Sequence, residues 1–273
     1  MKLRKSYAAV AGCAVVGLTS FNAQAQSAFA GFYGQVSTGY ESNQLGSMSG
    51  SSNVIPYAKS DTTNTGPSQT FGGPPLVLGA GYYWQASEKW LIGLGADYSA
   101  LSQTSSNIPF NRSNAAGSTA IPAGETLTNN GTTLQLSNRF NLFLTPAYAI
   151  DKDKLVYLKA GYSQVTDTYN RTSYLTRTTA NGVSTTSPTI GGSQSSNQGG
   201  YLIGLGYKQI ITSGMYGFIE GNYMSYSAPS YSFTSNNAAD RAYGATTINT
   251  RTVTSNFASL NSFQALIGLG YAF

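Results

Sequence analysis

Little in this sequence is equipped for catalysis. Its 273 residues include no histidine, which removes the usual general base of hydrolytic sites. Serines are abundant, but they lie in polar runs with nothing basic in reach. No two carboxylates are spaced for paired acid–base work. The one cysteine, Cys13, falls in an amino-terminal segment expected to be removed, and the remaining carboxylates lack a calcium-loop pattern. The expectation is therefore no catalytic, metal or cofactor site, and no enzyme.

What remains is a set of charges placed by alternation. Glu41, Asp97, Arg139, Lys159, Lys208 and Glu220 fall on the same face of separate period-two segments, three acidic and three basic. They share that face with Gln35, Gln135, Asn141, Asn222 and Gln264. Balanced charges on one face predict mutual pairing inside a filled polar lumen. Asp97 with Arg139, and Lys208 with Glu220, sit on adjacent segments and are the expected pairs. The other reading is a narrow wet passage with weak ion selectivity.

Short alternating elements must hold these charges. Eight segments qualify: GFYGQVSTGYE (31–41), LVLGAGYYWQ (76–85), WLIGLGADYSA (90–100), LQLSNRFNLFLTPAYAI (134–150), LVYLKAGYSQV (155–165), YLIGLGYKQI (201–210), MYGFIEGNYMSY (215–226) and LNSFQALIGLGYAF (260–273). About ten residues is the span a tilted transmembrane strand needs. Tiny turns at 86–89, 151–154 and 211–214 join three pairs, while the connections near 43–75, 102–132, 167–198 and 227–258 are long and rich in Ser, Thr, Asn and Gly. Short turns at one end and long loops at the other are the asymmetry of a membrane barrel. YNRTSYLTRTT (169–179) and TINTRTVTS (247–255) alternate weakly, so the loops either continue as hairpins or are disordered.

The opposite face decides the class. It presents Trp90, Ile92, Leu94, Ala96 and Tyr98; Leu136, Phe140, Leu142, Leu144 and Tyr148; Tyr201, Ile203, Leu205 and Tyr207; and Phe263 to Phe273 in steps of two, with no charge among them. Six charges cannot form the dry core of a soluble domain, so the apolar face must point outward, into lipid. Lipid leaves no backbone group unpaired, and the sheet must close. The fold expected is an eight-stranded antiparallel transmembrane up-and-down β-barrel with short periplasmic turns and four long extracellular loops. Tyr82, Trp84, Trp90, Tyr148 and Tyr207, near strand ends, form an interfacial aromatic girdle. Inward glycines such as Gly95, Gly206 and Gly270 leave room for large side chains from other strands.

Residues 1–25 read as a secretory signal: Lys2, Arg4 and Lys5 precede an apolar run from Tyr7 to Leu18, and Ala23-Gln24-Ala25 is a cleavage pattern. The run is shorter than a membrane anchor needs. VAGC at 10–13 resembles a lipoprotein processing box but sits too early in the apolar stretch. The barrel then comprises residues 26–273. Losing three cations from fifteen leaves twelve against ten acids, a net of +2, so the basic pI gives no reason to expect nucleic acid.

The chain ends IGLGYAF, with aromatic Tyr271 and Phe273 on the outward face of the last strand. With the short turns and glycine-aromatic strands such as YGFIEGNYMSY, this resembles the OmpA/OmpX-like small outer-membrane barrels, a class that includes the Ail-type surface proteins. The resemblance implies an outer-membrane location, contact with lipid and lipopolysaccharide, and a terminal signal at Tyr271 and Phe273 for the outer-membrane assembly machinery. No peptidoglycan-binding domain is expected to follow. The connections are longer than in the smallest members of that class, so no adhesive role is carried over.

Binding on a rigid scaffold tends to sit on its loops. Lys59, Arg112, Arg171, Arg177, Arg241 and Arg251 face Asp61, Glu125, Asp167 and Asp240 there. These cations either meet lipopolysaccharide phosphates or form a solvated surface. Tyr57, Phe71, Phe110, Tyr174, Tyr231, Phe233 and Tyr243 either anchor a host or surface ligand or pack the loops together. The expected role is structural and surface-interacting with a plugged lumen; the alternative is a small porin-like channel.

Overall fold

A computed structural model describes residues 27–55, 60–114, 121–188, 191–235 and 250–273. The signal segment 1–25 lies outside the described residues, as do Tyr57, Lys59, Asp240, Arg241 and Tyr243 and the side chains of Asp61, Tyr174 and Arg251. Strands account for nearly all of the described chain. In order they are β1 (Gly31–Leu45), β2 (Met48–Ile55), β3 (Ser60–Gly66), β4 (Gln69–Gly73), β5 (Leu76–Gln85), β6 (Trp90–Ser99), β7 (Gln103–Thr104), β8 (Phe110–Asn114), β9 (Thr126–Asp151), β10 (Lys154–Thr178), β11 (Ser184–Pro188), β12 (Gly192–Thr212), β13 (Met215–Tyr226), β14 (Ser230–Ser235), β15 (Thr250–Phe257) and β16 (Leu260–Ala272).

Eight of these strands close on themselves. Antiparallel pairing runs β1–β5–β6–β9–β10–β12–β13–β16 and returns through Tyr33↔Ala272 to Leu45↔Leu260. They are the eight expected segments. Their short turns have local causes. At β9–β10 the Asp151 carboxylate accepts the Asp153 N–H at 2.9 Å and pairs with Lys154 at 2.9 Å. At β12–β13, Gly214 takes φ +76°, a conformation glycine adopts without strain.

One predicted face is wrong. Leu136 was expected outward and Gln135 inward, yet Leu136 is buried at 2 % exposure while Phe140 is exposed. The cause is Asn138, which has φ +50° and lies where β9 slips one residue against β10 between Gln164 and Thr166. An extra residue in one strand reverses which face each later side chain takes.

Where they are described, the long connections are largely strands. Above the ring, β9 continues to pair with β8, followed by β3, β2, β15 and β14. On its other side β10 carries β11 and the upper part of β12. The Gln194 side chain on β12 then bridges to β14, its Nε2 donating to the Ser232 carbonyl at 2.6 Å and its Oε1 accepting the Ser232 N–H at 3.1 Å. The result is a second tier stacked on the ring. Its outer surface carries hydroxyl and amide ladders, among them Thr63–Ser113, Thr168–Ser195, Thr176–Thr186 and Thr234–Thr252. Such Thr/Ser pairs stabilise neighbouring strands on a wet face.

Two apolar clusters fill the interior. The lower one gathers Phe29, Tyr33, Tyr83, Leu91, Leu155, Tyr157, Tyr216 and Phe218; the upper one includes Leu45, Phe110, Leu134, Phe143, Tyr169, Met224, Phe233 and Leu260. Inward glycines make the lower cluster fit. A Cβ at Gly206 would stand 2.3 Å from the Tyr157 ring, and one at Gly270 would stand 2.3 Å from the Tyr216 ring.

Candidate functional site

Between the two clusters lies the polar layer. All six lumen residues, Glu41, Asp97, Arg139, Lys159, Lys208 and Glu220, point inward and are at most 6 % exposed. The carboxylate partners of Arg139 and Lys159 lie across the lumen, however, and not on the adjacent strand. Arg139 on β9 pairs with Glu41 on β1. Its remaining N–H groups go to the Tyr226 hydroxyl at 2.9 Å, Asn43 Oδ1 at 3.1 Å and Ser262 Oγ at 3.0 Å. Glu41 also accepts from Asn43 at 2.9 Å and Gln264 at 2.7 Å.

Lys159 on β10 reaches two carboxylates, Asp97 Oδ2 at 2.6 Å and Glu220 Oε1 at 2.9 Å. Its ammonium also sits 4.0 Å from the centre of the Phe143 ring. Asn141 donates to Asp97 at 2.5 Å; Tyr157 and Asn222 donate to Glu220 at 2.6 and 2.7 Å. The expected Asp97–Arg139 and Lys208–Glu220 pairs are not formed. Arg and Lys side chains are long enough to span an eight-stranded lumen, and the opposite wall offers them desolvated carboxylates already braced by amides.

Lys208 is set apart. Its ammonium lies 4.0 Å from the Tyr33 ring centre, 4.7 Å from Tyr216, 5.2 Å from Tyr83 and 5.4 Å from Tyr157. It donates to Gln35 Oε1 at 3.1 Å and to the Tyr216 hydroxyl at 3.3 Å. This is a cation–π cage at the turn end of the lumen. Phe29, ahead of β1, closes that end edge-on to Tyr216, with ring centres 6.0 Å apart. Its burial was not foreseen; it precedes the first alternating segment and has no periodic signal.

The second tier places the loop residues differently from the sequence expectation. Arg112 and Arg171 are 6 % and 1 % exposed, inside the tier. Arg171 lies over Phe110 and Phe233, with its guanidinium carbon 5.5 and 5.9 Å from the ring centres. They do not line the outer surface. Phe71, Phe110, Tyr231 and Phe233 are likewise buried, and they pack the tier together. Arg177 is on the outside and is engaged by both Glu125 oxygens at 2.6 and 2.9 Å. Asp167 accepts from Tyr231, Gln198 and the Ser196 N–H, but its burial outweighs those donors and holds its carboxyl above the usual carboxylate range.

The outer face of the ring is apolar, and its aromatics form two rows. The lower row comprises Phe32, Tyr82, Trp84, Trp90, Tyr148, Tyr207, Tyr271 and Phe273, and its rings touch: Phe32–Tyr82 and Tyr82–Trp84 at 4.8 Å, Trp90–Tyr148 at 5.2 Å, Tyr271–Phe273 at 5.0 Å. The upper row, not assigned from the sequence, comprises Tyr40, Tyr98, Phe140, Tyr162, Tyr201, Tyr223 and Phe263, each at least 38 % exposed. Eight residues separate the rows on several strands, as from Trp90 to Tyr98 and from Phe263 to Tyr271. At about 3.4 Å per residue and a tilt near 40° that is a band of roughly 20 Å.

Among solved structures the chain is similar to outer-membrane β-barrel proteins. The outer membrane protease OmpT from Escherichia coli shares 11 % identity over 92 % of this chain and 99 % of its own, with a TM-score of 0.45. OprG from Pseudomonas aeruginosa shares 14 % over 89 % and 96 %, with a TM-score of 0.44. Ail, the attachment invasion locus protein of Yersinia pestis, shares 11 % over 86 % and 99 %, with a TM-score of 0.29. No family model and no curated protein matches the sequence.

Proposed function

We infer that this protein is an integral outer-membrane β-barrel that displays a hydroxyl-rich second tier at the cell surface and does not conduct through its lumen. One observation carries the reading: the ring presents an uncharged apolar band between two aromatic rows and turns its charges inward, where Arg139 and Lys159 pair with Glu41, Asp97 and Glu220. In water that arrangement would expose far more contiguous apolar surface than soluble monomers tolerate. In lipid the closed sheet pairs its backbone and the apolar band meets acyl chains. Tyr271 and Phe273 suit the terminal signal read by the assembly machinery. The role is structural and surface-interacting, with contact to lipid and lipopolysaccharide and binding through the tier rather than through a reactive centre. A chain without histidine gives no support to a hydrolase.

The plugged lumen rests on the cross-lumen pairs, bracketed by Phe29 and the lower cluster on one side and the upper cluster on the other. Single-channel recording in a planar bilayer tests it. Wild-type protein is expected to be silent, with currents appearing only when Asp97→Ala and Glu220→Ala are combined. Steady, ion-selective openings in the wild type would overturn the reading in favour of a small porin.

A further inference from the structure

Two furrows run along the outer face of the ring. The first has a volume of about 890 Å³ and passes Trp90, Tyr148, Leu158, Leu205, Gly221 and Ala265. The second, of about 760 Å³, passes Ile211, Gln209, Gly217, Leu269, Val36 and Leu76. One ridge divides them: Tyr207, Ile219 and Ile267 stand in register on β12, β13 and β16 and line both. The furrows arise because β13 alternates glycine with large side chains on its outward face. Gly221 lies opposite Leu205 and Ala265, and Gly217 lies opposite Gln209 and Leu269, each two residues from Ile219. A Cβ at Gly221 would meet nothing within 4 Å, and one at Gly217 would meet only Ile211 Cδ1 at 3.4 Å. Unlike Gly206 and Gly270, these two glycines leave room that no side chain of the protein fills.

Strand tilt makes the furrows climb. The first crosses from β6 to β16, five strand spacings of about 4.8 Å, and at a tilt near 40° it rises about 15 Å from the turn end. That is the depth of one leaflet in a hydrocarbon core about 30 Å thick. Two residues along a strand, about 7 Å, separate the furrows, which suits the paired chains of one molecule. Their lower ends flank the β9–β10 turn: Tyr148 precedes it by three residues, and Gln209 is the strand partner of Lys154. That turn carries Asp151, Lys152, Asp153 and Lys154, two charges of each sign, and Glu88 and Lys89 repeat the balance on the β5–β6 turn. Lys154 and Asp151 pair, yet their side chains stay 41 % and 44 % exposed; so open a pair contributes little and leaves both charges accessible to a headgroup. A head bearing both a phosphate and an ammonium complements this turn, whereas a purely anionic head would also face its carboxylates. Within lipid no hydrophobic force singles out one chain, so retention comes from van der Waals packing, which a matched furrow supplies along its length. We propose that the two furrows hold the acyl chains of one zwitterionic diacyl phospholipid, with its headgroup on the β9–β10 turn. The proposal rests on the membrane-barrel reading above.

Native mass spectrometry of the refolded mature chain, released from detergent micelles, tests this with dioleoyl phosphatidylethanolamine, dioleoyl phosphatidylglycerol and one-chain lysophosphatidylethanolamine as probes. One phosphatidylethanolamine per chain should be retained, at least tenfold more than either of the others. Gly217→Leu combined with Gly221→Leu fills both furrows and should cut that retention at least tenfold. Gly34→Leu, an outward glycine outside the furrows whose Cβ would also meet nothing within 4 Å, should leave it unchanged. Asp151→Asn with Asp153→Asn makes the turn cationic and should move the preference to phosphatidylglycerol. Heat-modifiable gel mobility verifies folding; should the leucine pair not fold, Ile219→Ala, which levels the ridge, must lower retention in its place. Failure of the wild type to fold in micelles would remove the barrel reading itself. A folded wild type that retains no lipid, holds the anionic or one-chain lipid equally well, binds a second copy of itself instead, or is indifferent to the furrow variants would overturn this proposal alone.

Discussion

Lys159→Met removes the one cation that Asp97 and Glu220 share and leaves two carboxylates facing each other in a space from which water is excluded. Lys159 Nζ is 2.6 and 2.9 Å from their oxygens, and all three residues are at most 6 % exposed. Each attraction, at an effective dielectric near 20 and about 4 Å between charge centres, is on the order of 4 kcal/mol before desolvation is subtracted. Breaking a buried pair by deleting one partner costs about 3–5 kcal/mol in general, and two stranded anions put this case at the upper end. The charge explanation has a strict counterpart. Combining Lys159→Met with Asp97→Asn and Glu220→Gln removes every charge of the triad at nearly constant volume, and it should recover all but about 1–2 kcal/mol. The assay is urea-driven equilibrium folding in phospholipid vesicles, read by tryptophan fluorescence. The chain's two tryptophans, Trp84 and Trp90, both lie in the lower outer row, so their emission reports insertion directly. A single variant within about 1 kcal/mol of wild type, or a triple variant as unstable as the single, would refute the claim that pairing holds the lumen closed.

Lys208→Met should be far milder than Lys159→Met, because it strands no carboxylate and a methionine still packs against Tyr33 and Tyr216; a loss above about 3 kcal/mol in the same urea titration would contradict the cage assignment. Leu205→Arg, on the outer face midway between the aromatic rows, should cost about 2–4 kcal/mol in vesicles, while Thr168→Arg on the outer face of the second tier should change stability little; equal effects would refute the placement of the band. Gly206→Val should lower stability by about 1–3 kcal/mol through collision with the Tyr157 ring, and Tyr157→Leu should relieve part of it, as a double-mutant cycle would show. For Asp167 the folded carboxyl holds its proton more tightly than the unfolded one. Its contribution to stability is therefore full below the usual carboxylate range and lost as pH rises through the raised value. Asp167→Asn should flatten that part of the stability–pH profile measured by hydrogen exchange in β10 and β14, and an unchanged slope would count against it.

The ring was legible because lipid and lumen impose opposite chemistries on alternate residues. Trp90, Ile92, Leu94 and Tyr98 against Leu91, Gly93, Gly95 and Asp97 settle the inside and outside of β6 without any coordinates. The same logic stops working where its premise does. Past Asn138 the parity of β9 reverses, and an asparagine at φ +50° is not distinguishable in sequence from one in an ordinary strand. In the second tier both faces are polar or mixed, so alternation is weak and the strands read as loops.

Charge pairing failed for a different reason. Adjacency in the sheet is visible in sequence, but distance across a closed lumen depends on which inward positions lie at the same height. Strand tilt and the β9 slip set that height, and sequence spacing does not. Arg139 thus meets Glu41, ninety-eight positions away, in preference to Asp97 on the neighbouring strand. The same closure explains Arg112 and Arg171. Counted as loop cations they suggest a basic surface, but once β8 and β10 are continued into a second tier their parity turns them inward. Among the described residues, the surface left outside is one of threonine, serine and asparagine ladders, with Arg177 held by Glu125. A partner that meets these ladders would be recognised through hydroxyls and backbone rather than through ion pairs, and binding there should be nearly indifferent to salt.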